Sequence, residues 1–393
     1  MTADRAVGLV RGGEGPQRAT LLELFLDLVF VAALALTSRT LAQHLDWVGA
    51  FQTVVLLMAI WWVWSATALA TDVYHTHRPP IFVMTLWVML GTLLMAGALP
   101  AAFSGHALVF AGAYVAIHLG RGIFLVAALR GHTARVHATR FIFWFAVSAV
   151  PWLAGGLVAG PARSLLWIAA LAIDYGSAWL RYPTPRLGRV PTAQYTVAAD
   201  HLAERYQQFF TLALGDLILV TTLTYADNDM TADRTAALLV AFAATVLVWQ
   251  IYVHRAGALM QAAIESSREP GRFVRSAPNT HLIMVAGVVV TAAGFEVVIA
   301  HPTHHTTPWL AGVILGGPAL FLAGRARFEY EVFSRVSPSR LVALLVLAAA
   351  APALTLAPAL VASLAATLVL AGIATADGIR AHGNPPEPPA PST

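Results

Sequence analysis

Twelve runs of roughly 17 to 25 apolar residues, set apart by short polar stretches, occupy this chain almost from end to end. A helix rises 1.5 Å per residue, so about 20 such residues cross the hydrocarbon layer of a bilayer. The runs cover approximately 20–40, 47–71, 79–100, 106–128, 140–160 and 162–181, then 204–225, 235–255, 280–300, 307–324, 340–356 and 358–378. Hydrophobic residues make up 58% of the chain and charged residues 11%, against roughly 25% charged in soluble domains. Such a composition cannot cover its apolar surface in water, and the lipid bilayer is its partner. The expected fold is all-α: a polytopic membrane helix bundle of about 12 transmembrane helices. Pro352 and Pro358 bracket a short break between the last two runs, read either as a hairpin turn or as a kinked re-entrant pair.

The formal net charge is +4, but the basic residues sit singly in short loops and form no stripe, which excludes a nucleic-acid surface. All 24 are arginines. Placing the amino terminus in the cytoplasm puts 20 of them in inner segments and only three, Arg39, Arg163 and Arg234, outside, with Arg121 inside a run. The bias persists from the first loop to the last, so the helix count and cytoplasmic termini support one another. The first run carries Glu23 and Asp27, which favours a retained helix over a cleaved signal peptide. Cysteine is absent, excluding disulfides and thiol chemistry.

The spacing of runs suggests a six-plus-six duplication, with both halves in the same orientation. Leu22-Glu23-Leu24-Phe25 opens the first helix and Ala203-Glu204-Arg205-Tyr206 the seventh. The expected division is a cytoplasmic segment 1–19, a six-helix half 20–181, a cytoplasmic linker 182–203, a second half 204–380 and a disordered Pro-rich tail 381–393.

An ionisable side chain at the bilayer centre costs about 2.5–3.5 kcal/mol, so those retained need partners, water or a purpose. Here they are Glu23, Asp27, His118, Arg121, Asp174, Glu204, Asp216 and Glu296. Glu23 and Asp27 share a helix face at four-residue spacing, as do Tyr114, His118 and Arg121 at spacings of four and three. The expectation is a carboxylate-lined polar site in the cytoplasmic half. Glu23, Asp27 and Glu204 face a common space as proton-carrying carboxylates. Arg121, His118, Tyr114, Asp174 and Asp216 bind substrate, with Arg121 paired to Asp27, Asp174 or Glu23. Asp72, His75 and His77, and likewise His301, His304 and His305, have metal-ligand types but read as headgroup-level and solvated loops. The Trp61, Trp62 and Trp64 cluster reads as packing. No cofactor or metal is expected.

The stretch Leu22 to Val31 (LELFLDLVFV) resembles the opening signature of the bacterial low-temperature-requirement A family. So do Trp61-Trp62-Val63-Trp64, His201-Leu202-Ala203-Glu204-Arg205-Tyr206, Leu214-Gly215-Asp216, Trp249-Gln250-Ile251-Tyr252 and the segment from Gly294-Phe295-Glu296 to His301-Pro302. These motifs fall in order between about residues 20 and 340. The chain departs from the family at Gly215-Asp216-Leu217, where Gly-Glu-Ser is usual, and at Tyr252-Val253-His254, where Tyr-Phe-Asp is usual. The resemblance implies a multi-pass protein of the bacterial inner membrane and assigns no reaction. Two readings of function follow from the residues. The first is a proton-linked transporter of a small molecule, drawn from helix number, duplication and carboxylates spread over depth. The second is an intramembrane enzyme delivering a proton to a lipophilic or small acidic metabolite, isoprenoid cyclisation being one such chemistry.

Overall fold

A computed structural model of the protein describes residues 8–10, 19–191, 199–253 and 270–382. His254, the Pro-rich tail beyond residue 382 and most of the amino-terminal segment lie outside these residues. Twelve α-helices and no strand occur among the described residues. They are α1 (Leu21–Gln43), α2 (Trp47–Val73), α3 (Pro79–Ala98), α4 (Ala107–Ala128), α5 (Arg135–Leu157) and α6 (Pro161–Trp179). The series continues with α7 (Ala199–Ala226), α8 (Ala232–Val253), α9 (Pro270–Ala300), α10 (Pro308–Phe333), α11 (Pro338–Leu354) and α12 (Ala359–Ala381). Ten are long and apolar enough to cross a membrane; α6, which carries Arg163 and Asp174, and the 17-residue α11 fall outside that group.

Several helices outrun their apolar stretches. An apolar run measures the hydrocarbon crossing, whereas the helix continues wherever its charges find partners. α10 extends to Phe333 through Arg325, Arg327, Glu329 and Glu331, where the apolar run stops near 324. Asp72, read as part of a loop, belongs to the last turn of α2. α7 begins at Ala199, ahead of its apolar run at 204. The break near Pro352 and Pro358 is a hairpin: Pro352 lies within α11, and Pro358 caps the start of α12, which packs against α11.

The chain forms two compact units, residues 1–36 with 54–205, and residues 37–53 with 206–393. In the first, α3 to α6 pack in chain order, as short connections between helices dictate. Aromatic rings fill the space between α4, α5 and α6. Phe110, Trp152 and Trp167 interdigitate, and the Trp167 indole donates to the Trp152 carbonyl at 3.1 Å. Leu9 packs among Ala70, Tyr74, Ile81 and Leu129, and its carbonyl accepts from the His75 backbone.

In the second unit, α9 and α10 pack along one another with glycines at the contact. A Cβ on Gly287 would lie 2.5 Å from the Phe321 nitrogen, and one on Gly317 would lie 2.6 Å from the Thr291 nitrogen. Small residues that let backbones approach are the main packing device between helices in lipid. Arg340 joins the helix ends, reaching Glu329 at 3.1 Å and Asp377 at 2.5 Å, while Arg380 reaches Asp377 at 2.6 Å. The Arg340–Glu329 pair, with Arg327 and Glu331 paired one turn apart at 3.2 Å, gives the charged end of α10 its partners.

Candidate functional site

The first unit concentrates its buried charge where α1 and α7 begin and α2 ends. Thr20 and Glu23 form a capping box that starts α1. The Glu23 carboxylate accepts from the Thr20 amide at 2.7 Å and hydroxyl at 3.0 Å, and the Thr20 hydroxyl accepts from the Glu23 amide at 3.3 Å. Glu204 takes the neighbouring donor, the Ala19 amide, at 3.1 Å. Glu23 and Glu204 therefore sit together at the entry of α1.

Four residues further along α1, Asp27 meets Arg205 of α7. Its two oxygens accept from Nη1 and Nη2 of Arg205 at 2.8 and 2.7 Å, and Oδ1 also accepts from the Trp64 indole at 2.9 Å. Both side chains have zero exposure. Bidentate arginine–carboxylate pairs of this kind combine strength with fixed geometry. Trp64 thus does more than pack: it supplies a third donor to the same carboxylate.

His201 lies one turn before Arg205, and its ring stands between two buried acids. Nδ1 is 2.8 Å from Asp72 and Nε2 is 3.3 Å from Glu23. A neutral imidazole carries one N–H and can donate to one of these acids only; the imidazolium donates to both. The arrangement accommodates one movable proton.

The partners along α1 and α7 keep a constant spacing. Glu23 with His201 and Asp27 with Arg205 are each 178 residues apart. In the second unit, the Ser38 hydroxyl donates to Asp216 at 3.1 Å, again across 178 residues. Among the described residues the other Asp216 oxygen has no hydrogen-bond partner, and Glu296 is near enough to act on this acid electrostatically.

The expected pairing of Arg121 with a carboxylate is corrected. Its guanidinium donates to the Thr67 hydroxyl at 2.9 Å and to His118 Nδ1 at 2.8 Å, and lies 5.6 Å from the Phe145 ring centre. The acids expected to neutralise it are engaged elsewhere. Asp27 holds Arg205, and Asp174 accepts from the Tyr114 hydroxyl at 2.7 Å and the Trp152 indole at 3.2 Å. Tyr114, His118 and Arg121 do share one face of α4, all buried.

Three charged residues at the centre of this site escaped the sequence reading. Arg205 counted as an inner cation and as part of a motif, Asp72 as a loop residue, and His201 only as part of a motif. A detectable sign existed: acids at Glu23 and Asp27 and bases at His201 and Arg205 have the same four-residue spacing on two helices that both start from the same side. Among the described residues no group of three or more His, Cys, Asp or Glu side chains is arranged to hold a metal ion. The rings of His75 and His77 lie 4.9 Å apart, and those of His301 and His304 stack at 4.7 Å.

Residues 18–375 match the family described as Bacterial low temperature requirement A protein. An uncharacterized protein of Rhizobium meliloti (strain 1021) is 35% identical over 327 residues, covering 82% of this chain and 79% of that protein. No solved structure matches.

Proposed function

The chain belongs to the bacterial low temperature requirement A family and is a multi-pass membrane protein, and on that premise we propose that it is a proton-linked transporter of a small molecule. The observation that carries this reading is His201, held between Glu23 and Asp72 away from solvent. Imidazole is the side chain whose ordinary pKa lies between pH 5 and 8, so it loads and releases protons under cellular conditions. Ionisable groups inside membrane bundles mark ion pathways and proton relays. With His201 protonated, both flanking acids are matched. When it releases the proton, one of the two hydrogen bonds from the ring is lost, and a conformation that hydrates the acid on that side gains relative stability. A proton is thereby tied to a structural change, which is what coupled transport requires.

The arginine distribution supports a cytoplasmic position for this cluster, with both termini inside.

The test is proton flux in vesicles from cells making the protein. A dye reporting the pH gradient is followed while small acidic, neutral and basic metabolites are added in turn. At least one class is expected to discharge the gradient with the wild-type protein and none with His201→Gln. If no class moves protons beyond vesicles lacking the protein, the transport reading fails. Chemical conversion of an added compound under those conditions would point instead to the intramembrane enzyme, for which Asp174, held by Tyr114 and Trp152 among aromatic rings, is the available buried acid.

A further inference from the structure

Arg121 is a buried cation whose charge is not neutralised by any described residue. Only 4% of its surface is exposed, and its partners are a hydroxyl, an imidazole and an aromatic face. Among the described residues, the ionisable side chains close enough to act on it favourably are Tyr114 and Tyr182, both neutral phenols at ordinary pH. A buried charge without a counter-ion is strongly unfavourable, and glutamine or leucine would fill the place at less cost. Arginine here therefore calls for an anion that none of the described residues supplies.

A second, independent group points the same way. Arg121 has no acceptor atoms, so His118 Nδ1 must accept from it, which places the His118 proton on Nε2. That Nε2 is buried and has no hydrogen-bond partner among the described residues. A guanidinium and an imidazole N–H, one helical turn apart on α4, both lack an anionic acceptor among the described residues.

The surroundings select the kind of anion. The His118 ring stacks on Phe145 at 4.1 Å and meets Tyr114 edge-on at 4.5 Å, and Tyr114 lies 4.4 Å from Trp152. An apolar or aromatic body would suit these neighbours. One guanidinium balances one negative charge, whereas a phosphate dianion would bring a second into low dielectric.

We propose that Arg121 and His118 form the anion-recognition end of the substrate site and that the substrate is a monocarboxylate with an apolar or aromatic body. This names a substrate class for the transport reading and rests on it for movement, though not for binding.

Binding is tested separately from flux, using the full chain in lipid nanodiscs with benzoate as probe. Calorimetry and thermal unfolding are expected to show that benzoate binds and raises the unfolding midpoint, while benzamide, its neutral counterpart, does neither. Chloride and inorganic phosphate at equal ionic strength should leave the midpoint unchanged. Arg121→Gln is expected to weaken benzoate binding at least about tenfold, the loss of one charge-assisted contact. Should that variant not fold, His118→Phe keeps the ring stack, removes the N–H and is expected to weaken binding in the same sense. Equal binding of benzoate and benzamide, phosphate or chloride binding as well as benzoate, or unaltered affinity in whichever variant folds would each overturn the proposal. Benzoate binding without proton flux would retain this site and remove the transport reading. Flux with another class and no benzoate binding would do the reverse.

Discussion

Asp27 and Arg205, 178 residues apart, face each other through parallel hydrogen bonds of 2.7 and 2.8 Å, with neither side chain reaching the surface. Breaking a buried pair from one side leaves an unmatched charge, typically at a cost of about 3–5 kcal/mol. Asp27→Asn and Arg205→Gln are each expected to lower the unfolding midpoint of the purified protein sharply. The double variant, which leaves no charge behind, should recover much of the loss. A double variant as unstable as the sum of the two singles would mean that the residues do not act as a pair.

Trp64 completes the shell of Asp27 with a single indole bond of 2.9 Å. Trp64→Phe keeps the ring and removes the donor. It should cost about 1.5–3 kcal/mol, the range for a bond to a charged group, measured by the same unfolding transition. A neutral result would show that Arg205 alone satisfies the carboxylate.

The contact between α9 and α10 yields a sharp steric contrast. Gly317→Ala puts a methyl group 2.6 Å from the Thr291 nitrogen, too close without backbone movement, and is expected to destabilise by about 1–3 kcal/mol. Gly316→Ala, one residue away, meets nothing within 4 Å and should be close to neutral. Equal effects at the two positions would contradict the close approach of the two helices.

Sidedness can be read with reporter fusions in the connections. Fusions after residues 76, 132, 190 and 336 are expected to report the cytoplasm, and those after 45, 103, 159, 230, 304 and 356 the opposite side. An external result at 190 would remove α6 from the crossing helices and invert every later loop.

The helices were legible because burial in lipid demands long apolar runs, and no other physics imposes that pattern. Their charged ends were not, since a run of hydropathy stops where Glu329 of α10 begins to depend on Arg340 instead. Glu23, Asp27 and Asp174 were visible as charges out of place. Arg205 and Asp72 were not, because charges at helix ends are ordinary near headgroups, and only tertiary packing takes them out of water. The partner of Arg121 was misjudged for a related reason. Matching depth brings acids and bases to one level of the membrane, but which of them meet depends on helix rotation, and Asp27 turns toward α7.

The constant offset between partners on α1 and α7 also constrains how chains of this kind can vary in length. From Glu23 to Asp27 to Ser38 the steps are the same as from His201 to Arg205 to Asp216, so one helix can neither gain nor lose a residue alone. A single insertion between Arg205 and Asp216 would swing Asp216 about 100° around the helix, away from Ser38, while leaving Asp27 and Arg205 matched. Insertions and deletions are thus free to accumulate in the connections, whereas these two segments must change size together or not at all.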